Sequence, residues 1–301
     1  RKGTIEKRGL MCAVNVALGR EGRFASLQYE EKDRATDPKK VVVVGGGPGG
    51  MEAARIAALL GHDVSLFEKR DKLGGALIEA SVLKFKKDIP PLVDYLAGQM
   101  HKLNVEVHLG MEIDSKRIID SGADAAIIAT GARPILPDFP GIEKPHVSHG
   151  LDVLMGLETG DSVVLVGGGW FSCEIAWHLA GEGKKVIITT RQDDLAYDME
   201  FVHRMVILEE LTKGQVKVFT RMVIKEINDD GVVIESLETP GNSISLAGDN
   251  VLVFAGFKPV DQLMGELKSK ELRVFPIGDC VRPRGIFEAI YEGHIAARQI
   301  D

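Results

Sequence analysis

Lys39-Lys40-Val41-Val42-Val43-Val44-Gly45-Gly46-Gly47-Pro48-Gly49-Gly50-Met51 decides how this chain folds. The four valines are a wholly apolar, β-branched run, the pattern of a strand buried on both faces. Glycines crowd the turn that follows. Met51 to Leu60 then reads as a helix stopped by Gly61, and Val64 to Phe67 as a second strand ending at Glu68. In Gly45-x-Gly47-x-x-Gly50 the first glycine permits a tight turn, the second lets a pyrophosphate approach the backbone, and the third lets helix and strand pack closely. The helix N-terminus adds free N–H groups and partial positive charge for the phosphates. Glu68, 23 residues after Gly45, stands where a carboxylate accepts hydrogen bonds from ribose hydroxyls.

The unit occurs twice. Sliding the chain by 122 residues lays Val163-Val164-Leu165-Val166-Gly167-Gly168-Gly169 on the first copy, without a gap, and pairs Glu52 with Glu174, Gly61 with Gly183 and Val64 with Val186. Two ungapped copies imply two dinucleotide-fold domains in one α/β chain. The second copy departs in two places. Ser172 replaces the third glycine, which implies looser helix–strand packing there. Thr190 aligns with Glu68 and is followed by Arg191. A hydroxyl and a guanidinium in place of a carboxylate suit a 2′-phosphate, so NADP(H) is favoured over NAD(H), although Asp193 and Asp194 lie close enough to reverse the local field.

Strands are expected at Val105 to Leu109 and at Ala125 to Ala129, the latter running into Thr130-Gly131; a similar exit recurs at Val251 to Ala255. A last strand, Val274 to Ile277, precedes Gly278-Asp279 and a helix from Ile286 to Ile300, which return to complete the first domain. The expected plan is a polar arm over 1–38, a first domain over 39–155 and 258–301, and a second domain, 156–257, inserted in the first.

Composition narrows the function. The chain has 301 residues, 45% hydrophobic and 27% charged, enough for one or two globular domains and against disorder. Its net charge of −7 argues against a nucleic-acid partner, and aromatics at 6% argue against a stacking surface for single strands. No apolar run reaches the length of a membrane span, so no membrane partner is expected. Cys12, Cys173 and Cys280 are too far apart for a C-x-x-C pair, which excludes a redox dithiol by this motif and makes the cytoplasm the expected compartment. There is no G-x-S-x-G elbow, no H-E-x-x-H helix and no phosphate loop ending in Lys-Ser/Thr. No catalytic acid–base side chain stands out. His178 and His294, on expected helices, read as packing or surface residues.

Val41 to Glu68, Leu73-Gly74-Gly75, Ala129-Thr130-Gly131 and Phe275-Pro276-Ile277-Gly278-Asp279 resemble the FAD signatures of two-dinucleotide-domain, glutathione-reductase-like flavoproteins. Phe67 to Gly75, Phe85-Lys86-Lys87-Asp88-Ile89 and Gly278-Asp279-Cys280-Val281-x-Pro283-Arg284 sharpen this to the C-terminal half of the NADH:flavin oxidoreductases related to 2,4-dienoyl-CoA reductase, trimethylamine dehydrogenase and enoate reductase. The resemblance covers essentially the whole chain. It implies that Gly45, Gly47, Pro48, Gly49 and Gly50 cradle the FAD pyrophosphate, with Glu68 and Lys69 on the adenosine side and Val107 on the neighbouring strand. It further implies that Gly74 and Gly75 admit the flavin chain and that Ala129, Thr130 and Gly131 close over it. Gly278 and Asp279 would hold the ribityl group, and Ile286 and Phe287, at the start of the last helix, would face the flavin pyrimidine edge. Gly167, Gly169, Thr190 and Arg191 would take the nicotinamide dinucleotide. Lys86 is a candidate pyrophosphate contact or simply a solvated lysine, and Ala76 stands where relatives often carry a glutamine.

In that family an N-terminal flavin barrel precedes this half, and a four-cysteine iron–sulfur site lies at the junction. Met11-Cys12-Ala13-Val14-Asn15 resembles the segment carrying the fourth cysteine, which makes Cys12 either a stranded cluster ligand or a small buried thiol. The chain opens at Arg1 without an initiator Met, so a fragment lacking its barrel partner is expected, with FMN and the 4Fe–4S cluster only in the full-length enzyme. Three functions compete: an electron-input module passing electrons from NAD(P)H through FAD to that cluster, a non-catalytic module with a vestigial nicotinamide site holding ADP, and a self-standing flavin reductase or diaphorase.

Overall fold

Each valine of the decisive run is buried because the strand it forms has a core on both sides. In this computed structural model, which describes residues 12–22, 34–267 and 272–300, Val41 and Val43 pack with Met51, Ala54 and Ile56. Val42 and Val44 pack on the opposite face with Ile113, Ile118 and Cys280. Full burial of each such side chain contributes about 1.5–3 kcal/mol.

In chain order the elements are β1 (Lys40–Val44), α1 (Pro48–Leu59), β2 (Asp63–Phe67), α2 (Leu77–Ala80), α3 (Ile89–Lys102), β3 (Glu106–His108), α4 (Ser115–Asp120), β4 (Ala125–Ile128), β5 (Ala132–Pro134), β6 (Val147–His149) and α5 (Gly150–Leu154). They continue with β7 (Ser162–Val166), α6 (Trp170–Gly181), β8 (Lys185–Thr189), α7 (Phe201–Lys213), β9 (Lys217–Phe219), β10 (Met222–Asn228), β11 (Gly231–Ser236), β12 (Ser243–Ala247), β13 (Asn250–Val253), β14 (Phe257–Pro259), α8 (Gln262–Glu266), β15 (Arg273–Pro276) and α9 (Ile286–Ala297).

The chain divides into two compact units, one formed by Pro134–Gly256 and the other by the residues before and after it. The flanking unit holds a parallel sheet in the order β15-β4-β1-β2-β3. The inserted unit holds a parallel sheet in the order β6-β13-β7-β8-β9 and an antiparallel sheet β10-β11-β12. These are two Rossmann-like α/β domains, the second inserted in the first. The repeat is also a repeat of conformation: β1, α1 and β2 recur 122 residues later as β7, α6 and β8 with the same bounds. Gly45 and Gly167 both adopt positive φ, +107° and +132°, which only a residue without Cβ takes cheaply.

Two expectations change. The boundary expected at 155–156 lies earlier, at 133–134. The reason is that β6 pairs with β13, and Phe139 and Ile142 pack onto the inserted unit's own core. The arm expected over 1–38 is also not wholly an arm: Val16 and Ala17 are buried in the flanking unit's core, and Arg20 lies over the rings of Phe287 and Tyr291. Its other segments, 1–11 and 23–33, fall outside the described residues.

Helix α9 packs on α1 backbone to backbone. A Cβ on Gly293 would strike the carbonyl oxygen of Gly49, and one on Gly49 would come within 2.9 Å of Ala289 O. Beside that contact the buried Glu52 carboxylate accepts both arms of the Arg55 guanidinium at 2.8 and 2.9 Å and lies 3.1 Å from His294 Nδ1. Such pairing is what makes a buried charge tolerable. His294, fully buried, is thus a packing residue with a polar task. Replacing Gly293 with Ala is expected to destabilise the chain by about 1–3 kcal/mol through overpacking. In contrast Gly98→Ala, on α3 with nothing near its missing Cβ, is expected to stabilise by about 0.5–1 kcal/mol. Urea midpoints of the two variants moving in the same direction would contradict this packing.

Candidate functional site

The first glycine turn is built from close approaches. Gly45 N–H donates to Phe67 O at 2.8 Å, and a Cβ on Gly45 would run into Ala129 O. A Cβ on Gly50 would meet Gly45 O. Gly46 O accepts from Gly74 N–H at 2.9 Å, which draws the Gly74-Gly75 loop onto the turn, so that a Cβ on Gly75 would sit 2.8 Å from Gly47 Cα. At Gly47, by contrast, the nearest atom to a Cβ is Gly75 Cα at 3.9 Å. Gly47 also caps α1 with no side-chain hydrogen bond. An open glycine at an uncapped helix N-terminus, facing a second glycine, is a cradle with the shape and polarity to hold a pyrophosphate.

Glu68 is buried at 6% exposure. Its carboxylate accepts from Gly46 N–H at 2.6 Å and Arg70 N–H at 2.8 Å, which fixes its direction and leaves each oxygen a free lone pair for a ribose hydroxyl. Lys69 next to it is exposed, and Lys86 is half-buried on the turn Lys84–Lys86. Val107 pairs in register with Leu66, and the following His108 ring stacks on Phe67, centroids 4.5 Å apart. Neither that stack nor the backbone donors of Gly46 and Arg70 were foreseen in the sequence, because each partner lies across a strand or turn. The Arg70 guanidinium donates to Glu79 at 2.7 Å.

At the C-terminal ends of β4 and β15 the remaining candidates gather. Thr130 Oγ1 donates to Val260 O at 2.6 Å and Gly131 follows with positive φ. Gly278 N–H donates to Glu292 at 2.7 Å. Asp279 Oδ1 accepts from Arg284 N–H at 2.9 Å, and burial holds its carboxyl above the ordinary value of 3.8. Ile286 packs on the core and Phe287 stacks on Tyr291. The first turn of α9 carries Glu288, which accepts from Gly285 N–H at 3.3 Å, so this helix start is less bare than expected. Cys280 is buried beside Ile128 O and Ile277 O, and burial pushes its thiol up.

The second glycine turn copies the first: Gly167 N–H donates to Thr189 O at 2.8 Å, and a Cβ on Gly167 would lie 2.6 Å from Phe254 O. Ser172 does not loosen the packing as expected. Its hydroxyl donates to Gly167 O at 2.7 Å and turns the contact into a hydrogen bond. Thr190 is buried and its Oγ1 accepts from Gln192 N–H at 3.2 Å, while Arg191 points from the surface with no ion pair among the described residues. The two aspartates that threatened its field are engaged elsewhere, Asp193 with Arg221 at 2.9 Å and Asp194 with Arg204. Asp198, which sequence reading passed over, accepts from Trp170 N–H at 2.8 Å at the start of α6. Cys173 is buried, its thiol pushed up to about 12. Cys12 is partly exposed and accepts from Val14 N–H at 3.4 Å. Among the described residues no three His, Cys, Asp or Glu side chains gather as metal ligands. Nor does any described helix have the length and apolarity to cross a membrane.

The sequence profile of the pyridine nucleotide-disulphide oxidoreductases matches residues 39–293. An NADH oxidase of Thermoanaerobacter brockii is 37% identical over 297 residues, which are 97% of this chain and 44% of that protein. A bilirubin reductase of Mediterraneibacter gnavus is 35% identical over 290 residues, 96% of this chain and 44% of its own length. Among solved structures, 2-naphthoyl-CoA reductase in complex with 2-naphthoyl-CoA superposes with a TM-score of 0.87 at 33% identity, covering 96% of this chain and 43% of that one. The chain spans less than half the length of these relatives. It belongs to the pyridine nucleotide-disulphide oxidoreductase family.

Two outcomes follow from the side chains alone. Glu68→Gln exchanges an acceptor for a donor facing two backbone N–H groups, so the FAD-free protein is expected to lose about 1–3 kcal/mol in a denaturant titration; equal stability would deny Glu68 its structural role. For Asp279 the folded-state carboxyl lies above 3.8, so the folded form holds the proton more tightly and stability falls as pH rises through that window. Asp279→Asn is expected to be more stable than wild type at neutral pH, with the advantage fading as pH drops toward 3.8. A pH-independent difference in melting temperature would contradict the burial effect.

Proposed function

We propose that this member of the family is the dinucleotide-handling portion of a larger flavoenzyme. It takes hydride from NADPH onto FAD, and electrons then leave toward an iron–sulfur centre and a second flavin, FMN, held in a flavin barrel outside this segment. The observation that carries the reading is one turn built twice with different exits: a buried carboxylate, Glu68, after the first, and after the second Thr190 with Arg191, which has no ion pair among the described residues.

In the flanking unit, Gly45, Gly47, Gly50 and Gly75 would hold the FAD pyrophosphate against the α1 N-terminus, and Glu68 would accept from the adenosine ribose. Asp279, Thr130 and Gly131 lie at the strand ends suited to the ribityl chain, and the start of α9 to the pyrimidine edge. In the inserted unit, Gly167 and Gly169 would face the nicotinamide dinucleotide's pyrophosphate, and Arg191 would bind its 2′-phosphate as a guanidinium fork. Asp193 pairs with Arg221, which Glu238 shares, and Asp194 pairs with Arg204, so neither aspartate pairs with Arg191. FAD supplies the hydride acceptor; the chain's own residues bind, orient and exclude water, and no side chain has to move a proton in that step. The names and lengths of the relatives support a reductase with a further half, and Cys12 would serve there as the fourth iron–sulfur ligand.

The test is an anaerobic absorbance titration of the FAD-loaded chain. NADPH is expected to bleach the flavin faster than NADH, and Arg191→Ala is expected to slow NADPH roughly tenfold, the worth of one charge-assisted hydrogen bond, while sparing NADH. Equal loss with both nucleotides would remove Arg191 from 2′-phosphate recognition, and a flavin that neither bleaches would overturn the hydride reading.

A further inference from the structure

The two glycine turns differ at the spot where a pyrophosphate would rest. In the first, α1 begins at Pro48, which has no N–H to draw a carboxylate, and the space over Gly47 is open to 3.9 Å. In the second, the same spot is taken. Asp198 Oδ1 accepts from Trp170 N–H at 2.8 Å, and a Cβ on Gly169 would lie 3.2 Å from Asp198 Oδ2. The loop over 191–200 that supplies this carboxylate is anchored in the residues that precede it. Ala196 N–H donates to Gly168 O at 2.7 Å, Arg204 holds Asp194 and Leu195 O, and Arg221 holds Asp193. Of the three aspartates in the loop, two pair with arginines, and Asp198 alone spends its charge on a helix N-terminus.

Resting on the reading of the inserted unit as the nicotinamide dinucleotide site, we propose that Asp198 is an affinity-setting residue of that site: a built-in anion that occupies the α6 N-terminus and that the incoming pyrophosphate must displace. The physics is that of one anion replacing another at a helix start, where the partial positive charge and the free N–H favour either. Asp198 is exposed, so swinging it into water carries little desolvation cost, and the exchange is reversible. The consequence is weaker binding of every pyrophosphate-bearing ligand, with no effect on a ligand held only at Arg191.

The experiment is a fluorescence titration of the FAD-loaded full chain, reading Trp170 and Trp177, with ADP, NADP⁺ and 2′-AMP as probes. Wild type is compared with Asp198→Asn, which keeps an acceptor for Trp170 N–H but not the charge, and with Asp198→Ala. Asp198→Asn is expected to bind ADP and NADP⁺ about fivefold tighter than wild type, the scale of one surface charge at a helix end, with 2′-AMP unchanged. The gain is expected to shrink as salt rises, since screening weakens the lost repulsion. Equal or weaker ADP binding by Asp198→Asn would overturn the proposal, as would loss of binding in both variants, which marks a cap needed to form the site. If all three proteins bind NADP⁺ and 2′-AMP alike, the dinucleotide reading stands and this proposal falls. If none binds any probe, both fall.

Discussion

Everything in this molecule hangs on how closely a strand can approach the helix that follows it. At Gly45 and Gly50 the backbone itself is the contact surface: a methyl group on either would be driven into a carbonyl oxygen. That closeness sets the α1 N-terminus directly over the end of β1, brings Gly74-Gly75 across it, and fixes Glu68 through the Gly46 N–H. The α1–α9 contact through Gly49 and Gly293 extends the same rule to the second helix of the site. Close approach costs backbone freedom, and the deep apolar burial of the valine strand offsets that cost.

The proposed function rests on the doubling of the turn. The inserted unit keeps the geometry of the first, down to positive φ at Gly167, yet changes the chemistry at three points. Ser172 turns a steric contact into a hydrogen bond, Thr190-Arg191 replaces a carboxylate with a hydroxyl and a cation, and Asp198 brings an anion to the helix start. A fold that repeats its backbone while exchanging polar end groups can hold two different dinucleotides, which is what hydride transfer between cofactors requires.

Much of this was legible in the sequence, and for a physical reason. A buried parallel strand must be apolar on both faces, and a close turn must be glycine, so both leave marks that survive without coordinates. The βαβ units, their 122-residue repeat and the inserted domain were readable on those grounds. The entry boundary at 133–134 was not, because β6 is a three-residue strand whose membership depends on pairing with β13. Asp198 and the Phe67–His108 stack were hidden for the same cause: each acts through a partner distant in sequence. The Ser172 hydroxyl acts as a donor to Gly167 O rather than as added bulk, a role that residue size alone does not reveal.

Whether the two turns hold two different nucleotides can be measured by equilibrium dialysis of the chain against FAD and NADP⁺, separately and together. One FAD and one NADP⁺ bound per chain, neither displacing the other, is the result expected. NADP⁺ that competes with FAD for a single site, or a chain that retains only one nucleotide, would contradict the assignment of one dinucleotide to each turn.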